Sequence, residues 1–339
     1  VFVQRFFEGL KNDFNLSLIV IYGRSSNTFE KILHYLQFYW RIVLKVVFGS
    51  RHDRYYIHYA NHSLLPFCVF SSRVLNRVVI NFHGGDLFPE NNKSLHLQKL
   101  TSNLIPKVKG IVVPSEYFRN EIVERYKVDR QKVFVSPSGG VDREQFCIID
   151  KGEYKVSGFL NIGYVGRLDF GKGLDVLIDG FISLFRMGYK VKLHIVGDGV
   201  YLPIVRDVVE KNGIKESVLF YGMRPQQELP LFFNSFDVFV FPSIRKGESL
   251  GLVGLEALAC GVPVIGSNIG GISTYVEEGV NGFLFQPNDS KSLLAAFDRF
   301  LQLSQSEREL MRANAVKSSK RFDSQRVRLD LIEFLNALF

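Results

Sequence analysis

Short, continuous apolar runs alternate with amphipathic stretches of helical length along most of the chain, and the pattern repeats on both sides of about residue 155. The runs are Ser17–Ile21, Val78–Phe82, Gly110–Val113, Val133–Val135, Phe159–Val165, Lys192–Val196, Ser217–Tyr221, Val238–Phe241 and Val262–Ile265. Runs of this kind suit strands buried on both faces. Their alternation with helices predicts doubly wound parallel sheets. The expected fold is α/β, with two Rossmann-like domains facing across a cleft where ligands sit outside the carboxyl ends of the strands. The expected boundary follows residue 155, within the polar stretch Asp150–Ser157.

Length and composition agree. The 339 residues are too many for one ordinary core and fit two α/β domains. With 46% hydrophobic and 22% charged residues, the chain is not a disordered one. Cys68, Cys147 and Cys260 are widely spaced, odd in number and form no CxxC pair, which argues against a disulfide framework or structural zinc and fits a reducing, cytoplasmic setting. No apolar run reaches the ~18–20 residues of a membrane span, and no secretory signal opens the chain.

The chain starts at Val1, and Phe2, Val3, Phe6, Phe7 and Leu10 read as a helix with an apolar stripe. A doubly wound domain usually opens on a strand and a tight glycine loop, so the original N-terminus is expected to be missing. At the other end, Ser324–Phe339 reads as one long amphipathic helix.

Charge is one-sided. Residues 1–157 hold 22 Lys+Arg against 14 Asp+Glu, which accounts for the whole net charge of +8. Such a field attracts lipid headgroups, pyrophosphates or nucleic acid; a basic domain without such a partner is an equal reading. Within residues 31–48, Lys31, His34, Arg41 and Lys45 fall at helical spacing among Leu33, Leu36, Tyr39, Trp40, Val43 and Val47. A basic, aromatic helix can lie in a membrane interface. The breadth of the stripe favours instead a helix packed on the sheet with a solvated cationic edge.

Three constellations carry chemistry. The sharpest runs from Glu248 to Glu256 and continues Ala-Leu-Ala-Cys-Gly-Val-Pro-Val. It predicts a loop holding Glu248, then a buried helix from near Gly251 to Cys260, stopped by Gly261. A helix start behind glycine offers backbone N–H groups and a positive dipole end to a phosphate. Glu256 sits in an otherwise apolar helix, where an unpaired carboxylate is expensive. It lies roughly 7.5 Å along the axis from Gly251, about the span from a diphosphate to ribose hydroxyls. A structural salt bridge is the plain alternative, and glycoside hydrolysis by a carboxylate pair is disfavoured by the placement.

The second constellation is Gly166-Arg167-Leu-Asp-Phe-Gly171-Lys172-Gly173, between a strand and a helix. Two cations there suit a pyrophosphate leaving group. A P-loop reading fails at Gly173, where a hydroxyl should bind Mg²⁺. The third is His83-Gly84-Gly85-Asp86, closing an apolar strand on the cleft side, where His83 could hydrogen-bond a sugar or acceptor. More weakly, the loop Gly222-Met223-Arg224 could touch a nucleotide base, and Val280-Asn281-Gly282-Phe283 reads as a hairpin turn.

Together these residues resemble the GT4-type family of retaining glycosyltransferases, over nearly the whole chain and most strongly from about Gly158 to Asp289. The E-x7-E spacing of Glu248 and Glu256, the loop Gly166-Arg167 with Lys172-Gly173, and the smaller marks Ile195–Gly199, Phe236-Asp237 through Pro242-Ser243, and Gly270-Gly271 carry the resemblance. It implies a GT-B fold, with a donor domain at 156–321, an acceptor-side domain at 1–155 and helix 322–339 packing back on the latter. It also implies roles. Arg167 and Lys172 would neutralise the departing diphosphate, and Glu248 would hold hydroxyls of the transferred sugar. Gly251 and Leu252 amides would cap the distal phosphate, with Ser249 beside them. Glu256 would take the ribose, with Gly222 and Met223 near the base, and His83, Gly84 and Asp86 would line the first domain's side.

The implied reaction moves a sugar from a UDP- or GDP-linked donor to a glycan or lipid-pyrophosphate-linked acceptor, in bacterial surface polysaccharide synthesis, without metal or other cofactor. An anionic membrane surface at the cytoplasmic face is the further expected partner, and nucleic acid is not one. A nucleotide-sugar epimerase of the same fold and a silent binding homologue stay open. The sequence departs from the family at Ser138-Gly139-Gly140-Val141-Asp142, where glycine replaces an asparagine, and in lacking the N-terminal glycine loop.

Overall fold

The computed structural model of the protein describes residues 2–21, 27–149 and 153–339. It divides into two compact units, Val1–Gly139 with Arg328–Phe339, and Gly140–Val327.

The first unit holds a four-stranded parallel sheet, β1 (Tyr55–His58), β2 (Val78–Asn81), β3 (Gly110–Val113) and β4 (Val133–Val135), in chain order. β2 and β3 are buried at every position, as their unbroken apolar sequence requires. One face packs on Leu64, Phe67, Leu104, Phe118 and Ile122. The other is covered by Leu10 of the helix Phe2–Leu10 and by Leu331 and Leu335 of the helix Ser324–Leu338. Phe334 stacks on Phe134 at 4.5 Å between ring centroids. Gly110 admits this helix, since a Cβ there would lie 2.6 Å from Leu338 Cδ1.

The second unit holds a six-stranded parallel sheet. Its strands are β5 (Leu160–Val165), β6 (Val191–Val196), β7 (Val218–Gly222), β8 (Val238–Phe241), β9 (Val264–Ser267) and β10 (Gly282–Phe285). The spatial order is β10-β9-β8-β5-β6-β7. The chain runs outward from β5 to β7, then returns to β8 on the other side of β5. β5 and β8 are therefore neighbours across a reversal of winding, where open α/β sheets bind ligands. On one face Phe181 and Phe297, both fully buried, close the core; each such ring contributes about 1.5–3 kcal/mol.

Several sequence expectations need correction. Ser17–Ile21 is not a strand and joins neither sheet. Tyr55–His58 is a strand the sequence hid, because only Ile57 of its four residues is buried. Val280-Asn281-Gly282-Phe283 is not a hairpin: β10 runs parallel to β9, pairing Gly282 with Val264. The turn is fixed by the Asn281 side chain, which donates to Tyr275 O at 2.9 Å and accepts from Glu277 N at 2.7 Å.

The units divide at Gly139–Gly140, earlier than the expected boundary near residue 155. Phe146 packs in the second unit's core, and Asn234 bonds both Ile149 N and Cys147 O. Of the expected linker, Asp150–Gly152 lie outside the described residues, and Tyr154 stacks on Phe232 at 4.2 Å. Among the described residues no helix is long and apolar enough to cross a membrane.

Candidate active site

Three loops meet at the carboxyl edge of the second sheet. The loop after β5 ends at Gly173, whose φ of 69° caps the helix Leu174–Arg186. A Cβ at Gly173 would stand 1.8 Å from Pro242 O, so glycine here lets the β5 loop close on the β8 loop. Ile244 N donates to Gly171 O at 3.0 Å and Arg245 Nη2 to Phe170 O at 2.7 Å, fastening the two loops further. From the third loop, after β9, Gly271 N donates to Glu248 O at 2.8 Å. A Cβ on Gly270 would stand 2.4 Å from that same oxygen.

The convergence joins two residues 76 positions apart: Lys172 Nζ lies 2.8 Å from Glu248 Oε2, with side chains 18% and 13% exposed. Ser243, buried at the end of β8, donates its hydroxyl to the same oxygen at 2.8 Å. A charge-assisted pair this sheltered is held in one geometry, and the loops around it fix its place. Arg167 stands on the same loop as Lys172 but turns outward, 69% exposed, with Nη1 2.8 Å from Asp169 Oδ2. Tyr164, next to last in β5, donates to Arg167 O at 2.9 Å. Burial raises its pKa first, with the Glu248 and Asp169 charges adding to this and those of Arg167 and Arg245 opposing it.

The helix after the Glu248 loop is Leu252–Ala259, capped by Gly251 at φ 76°. A Cβ on Gly251 would meet the Phe241 ring at 2.3 Å, and Tyr275 donates its hydroxyl to Gly251 O at 3.2 Å. The amides of Gly251, Leu252 and Val253 precede the first intrahelical bond, Gly254 N to Gly251 O at 3.0 Å, and form the electropositive end of the helix. Ser249 is held from behind by Gly271, whose Cβ would lie 2.3 Å from Ser249 O.

Glu256, on the same helix, is 8% exposed. It accepts from Gln226 Nε2 at 3.2 Å. Gln226 follows Gly222 and Met223 on the loop after β7, so that loop and the Glu256 helix are tied together. Met223 is 76% exposed and Gly222 adopts φ 70°.

The first unit has its own constellation. His83, two residues past β2, caps the short helix Gly84–Leu87, with Asp86 Oδ2 accepting from His83 N at 2.9 Å. His83 Nε2 meets His58 Nδ1, from the end of β1, at 3.2 Å, and Tyr59 stacks on the His83 ring at 4.3 Å. Tyr59 holds φ 59°, a strained value for a non-glycine residue. Burial lowers the His83 pKa to about 4. Burial, then the neighbouring His83 charge, takes His58 down to about 3. Burial raises Asp86 to about 7 against backbone hydrogen bonds from His83 and Ala60. At neutral pH both imidazoles are uncharged, so one donates and the other accepts. A Cβ on Gly85 would meet nothing within 4 Å, leaving space beside His83.

The arrangement in the second unit is a glycine-capped helix start following a fixed carboxylate–ammonium pair, with a second carboxylate on the same helix. Residues 150–318 match the family model of the glycosyl transferases group 1. The matched region contains Arg167, Lys172, Glu248, Gly251 and Glu256.

The capsular polysaccharide biosynthesis glycosyltransferase CapM of Staphylococcus aureus is 32% identical over 232 residues, covering 63% of this chain and 58% of CapM. A D-inositol 3-phosphate glycosyltransferase of Stackebrandtia nassauensis is 32% identical over 225 residues, covering 62% of this chain and 50% of that enzyme. The chain thus spans little more than half the length of such relatives. Among solved structures, Anabaena HepE in complex with UDP superposes with a TM-score of 0.75 at 22% identity, covering 88% of this chain and 82% of HepE. The fold is GT-B, two parallel-sheet α/β domains.

Sequence reading missed Gln226, Arg245 and His58, and named Ser243 as a family mark without giving it a role. Ser243 and Gln226 are ordinary polar residues whose partners are set by strand order, and His58 lies on the strand that carried no readable signal.

Proposed function

We propose that the chain is a retaining glycosyltransferase of the GT4 type, with its nucleotide-sugar donor on the second unit. The observation that carries this reading is the Lys172–Glu248 pair at the β5–β8 reversal, one loop away from a glycine-capped helix start that carries Glu256 about one turn further on. The donor diphosphate would take the Gly251 and Leu252 amides, with Lys172 and Arg167 on the oxygens that gain charge as the anomeric bond breaks. Glu248 would fix Lys172 and accept from hydroxyls of the sugar. Glu256, with Gln226, would accept from the ribose. The acceptor hydroxyl would attack the anomeric carbon from the face the diphosphate leaves. In this reading protein cations do the work of a metal, and no cofactor takes part. His83, uncharged, would hydrogen-bond the acceptor on the first unit.

The relative CapM, named for capsular polysaccharide biosynthesis, supports a polysaccharide setting for the acceptor. In this reading the acceptor is a glycan or a lipid-pyrophosphate-linked sugar, reached at the cytoplasmic face of a membrane. HepE makes UDP the first nucleotide to try, with GDP second. The test is thermal stabilisation by UDP, GDP and ADP without added metal, since a ligand that binds the native state raises the melting temperature. A shift with one diphosphate, abolished by Glu256→Ala, is expected. A shift that survives that substitution unchanged removes Glu256 from the site, and no shift with any of them overturns the donor reading.

A further inference from the structure

The helix Thr28–Phe48 uses one side to pack on the first unit, burying Phe38 and Val46 with Ile42 beside them. At about 100° per residue, Phe29, Ile32, Leu33, Leu36, Trp40 and Val47 fall in a second stripe roughly 100° wide on the far side. All six are between 47% and 66% exposed, and Phe48 at the end is 81% exposed. A contiguous apolar face of this length on a folded unit marks an interaction surface.

Its surroundings say what it meets. His34, Arg41 and Lys45 fall on one flank, between the exposed stripe and the packed side. Glu30 is the helix's sole acid, against Lys31, Arg41 and Lys45. Beside its last turns a groove of about 680 Å³ is lined by Leu18, Ile19, Leu44 and Phe48, with Arg41 and Lys45 also on its wall. Arg77 comes to the same end, donating to Ser50 O at 3.0 Å. The first unit carries 20 Lys+Arg against 12 Asp+Glu, while the second is balanced at 22 and 22. A second copy would bring like charge to like, whereas a surface of phosphates complements both the flank and the unit.

We propose that this helix docks on an anionic lipid bilayer, its exposed stripe in the acyl boundary and Arg41 and Lys45 on headgroup phosphates. Apolar side chains then enter about 5–10 Å while the cations stay at headgroup level. The inference deepens the membrane-face acceptor reading given above and rests on it. Its observations lie in the first unit alone, and its test uses neither donor nor acceptor.

Trp40 is the only tryptophan in the chain and stands on the stripe, so its fluorescence reports docking directly. The 339-residue chain is titrated with phosphatidylglycerol-containing vesicles and with pure phosphatidylcholine vesicles. A blue shift with the first, quenched by lipids brominated near the headgroup end of the chain, is expected. Leu36→Glu should weaken partitioning at least tenfold while leaving the UDP-induced thermal shift intact. Arg41→Gln with Lys45→Gln should weaken it and flatten its salt dependence. No shift with anionic vesicles overturns the proposal, as does equal binding to neutral ones. A shift that grows with protein concentration in the absence of vesicles, with the mass of two chains, assigns the stripe to a second copy instead. Because UDP stabilisation is read separately, failure here leaves the donor reading standing.

Discussion

The Lys172–Glu248 pair sets up opposite expectations for its two members. Before a donor binds, Glu248 already compensates the ammonium at 2.8 Å. A diphosphate arriving at Lys172 must share that cation with a carboxylate. Lys172→Ala removes a charge-assisted hydrogen bond to the diphosphate, about 1.5–3 kcal/mol, or roughly 10- to 150-fold in Kd for UDP. Glu248→Gln removes a competing anion instead, and UDP, which has no sugar for Glu248 to hold, should bind as well as before or up to about tenfold more tightly. With the sugar donor the same variant should transfer roughly 10²-fold more slowly, since the group that fixes Lys172 and the sugar is gone. Stability changes in both, because the side chains are 18% and 13% exposed. The loss stays below the ~3–5 kcal/mol of breaking a fully buried pair. Ser243 still donates to Glu248 in the lysine variant, which limits it further. Calorimetric titration with UDP on both variants, each first shown to be folded, separates the roles. Equal losses of UDP affinity in the two, or none in Lys172→Ala, would refute the assignment.

Two further expectations concern each unit separately. Gly173→Ala should cost at least about 2 kcal/mol in urea unfolding, from left-handed backbone strain plus the 1.8 Å approach to Pro242 O, while Gly222→Ala, with φ 70° and nothing within 4 Å, should cost only the ~1–2 kcal/mol of strain; equal costs would mean the loops are not closed on one another. In the first unit, Asp86 has its folded pKa raised to about 7, so its stabilising contribution is present below its ordinary 3.8 and is lost as pH rises toward 7. His83 and His58, depressed to about 4 and about 3, contribute stability above 6.5 that is lost as pH falls. Asp86→Asn removes the opposing term, so between pH 4.5 and 6.5 its unfolding free energy should climb with pH more steeply than that of the unaltered chain, by about one proton's worth or 1.4 kcal/mol per pH unit. Parallel slopes would show that Asp86 ionises normally.

How much of this was legible in the sequence depended on whether a feature is local. Buried strands such as Val238–Phe241 and Gly110–Val113 announce themselves, because burial on both faces forces an unbroken apolar run. The helix Leu252–Ala259 and its glycine cap were equally plain, since capping is a matter of neighbouring residues. Arg167, Lys172, Glu248 and Glu256 were recognisable as residue types in a spacing. The contact between Lys172 and Glu248 was not, because it exists only through the adjacency of β5 and β8, which no property of either segment encodes. Edges failed for the opposite reason. β1 has one buried residue in four and is rich in tyrosine and histidine, so its period is faint. β10 begins at an Asn-Gly pair, a strong local hairpin signal, yet Asn281 is buried and bonded to Tyr275, Glu277 and Ser318. Tertiary partners decided that turn.

The helix Thr28–Phe48 shows where sequence patterning is ambiguous in principle. An amphipathic profile distinguishes an apolar side from a polar one, but here apolar residues occupy two sides, and the breadth of the pattern favoured simple packing. Both stripes have helical spacing and neither is richer in signal. Only the packing of Phe38 and Val46 shows which side the fold consumes, and it leaves Phe29, Leu36 and Trp40 outside. Those residues add nothing to the unit's own core while exposed, so their contribution to stability is close to nil and their apolar character needs a cause beyond folding. Scattered exposed apolar residues need no such cause, but six in register along 21 residues, flanked by cations on a unit of net charge +8, form a pattern that a bilayer surface accounts for and core packing does not.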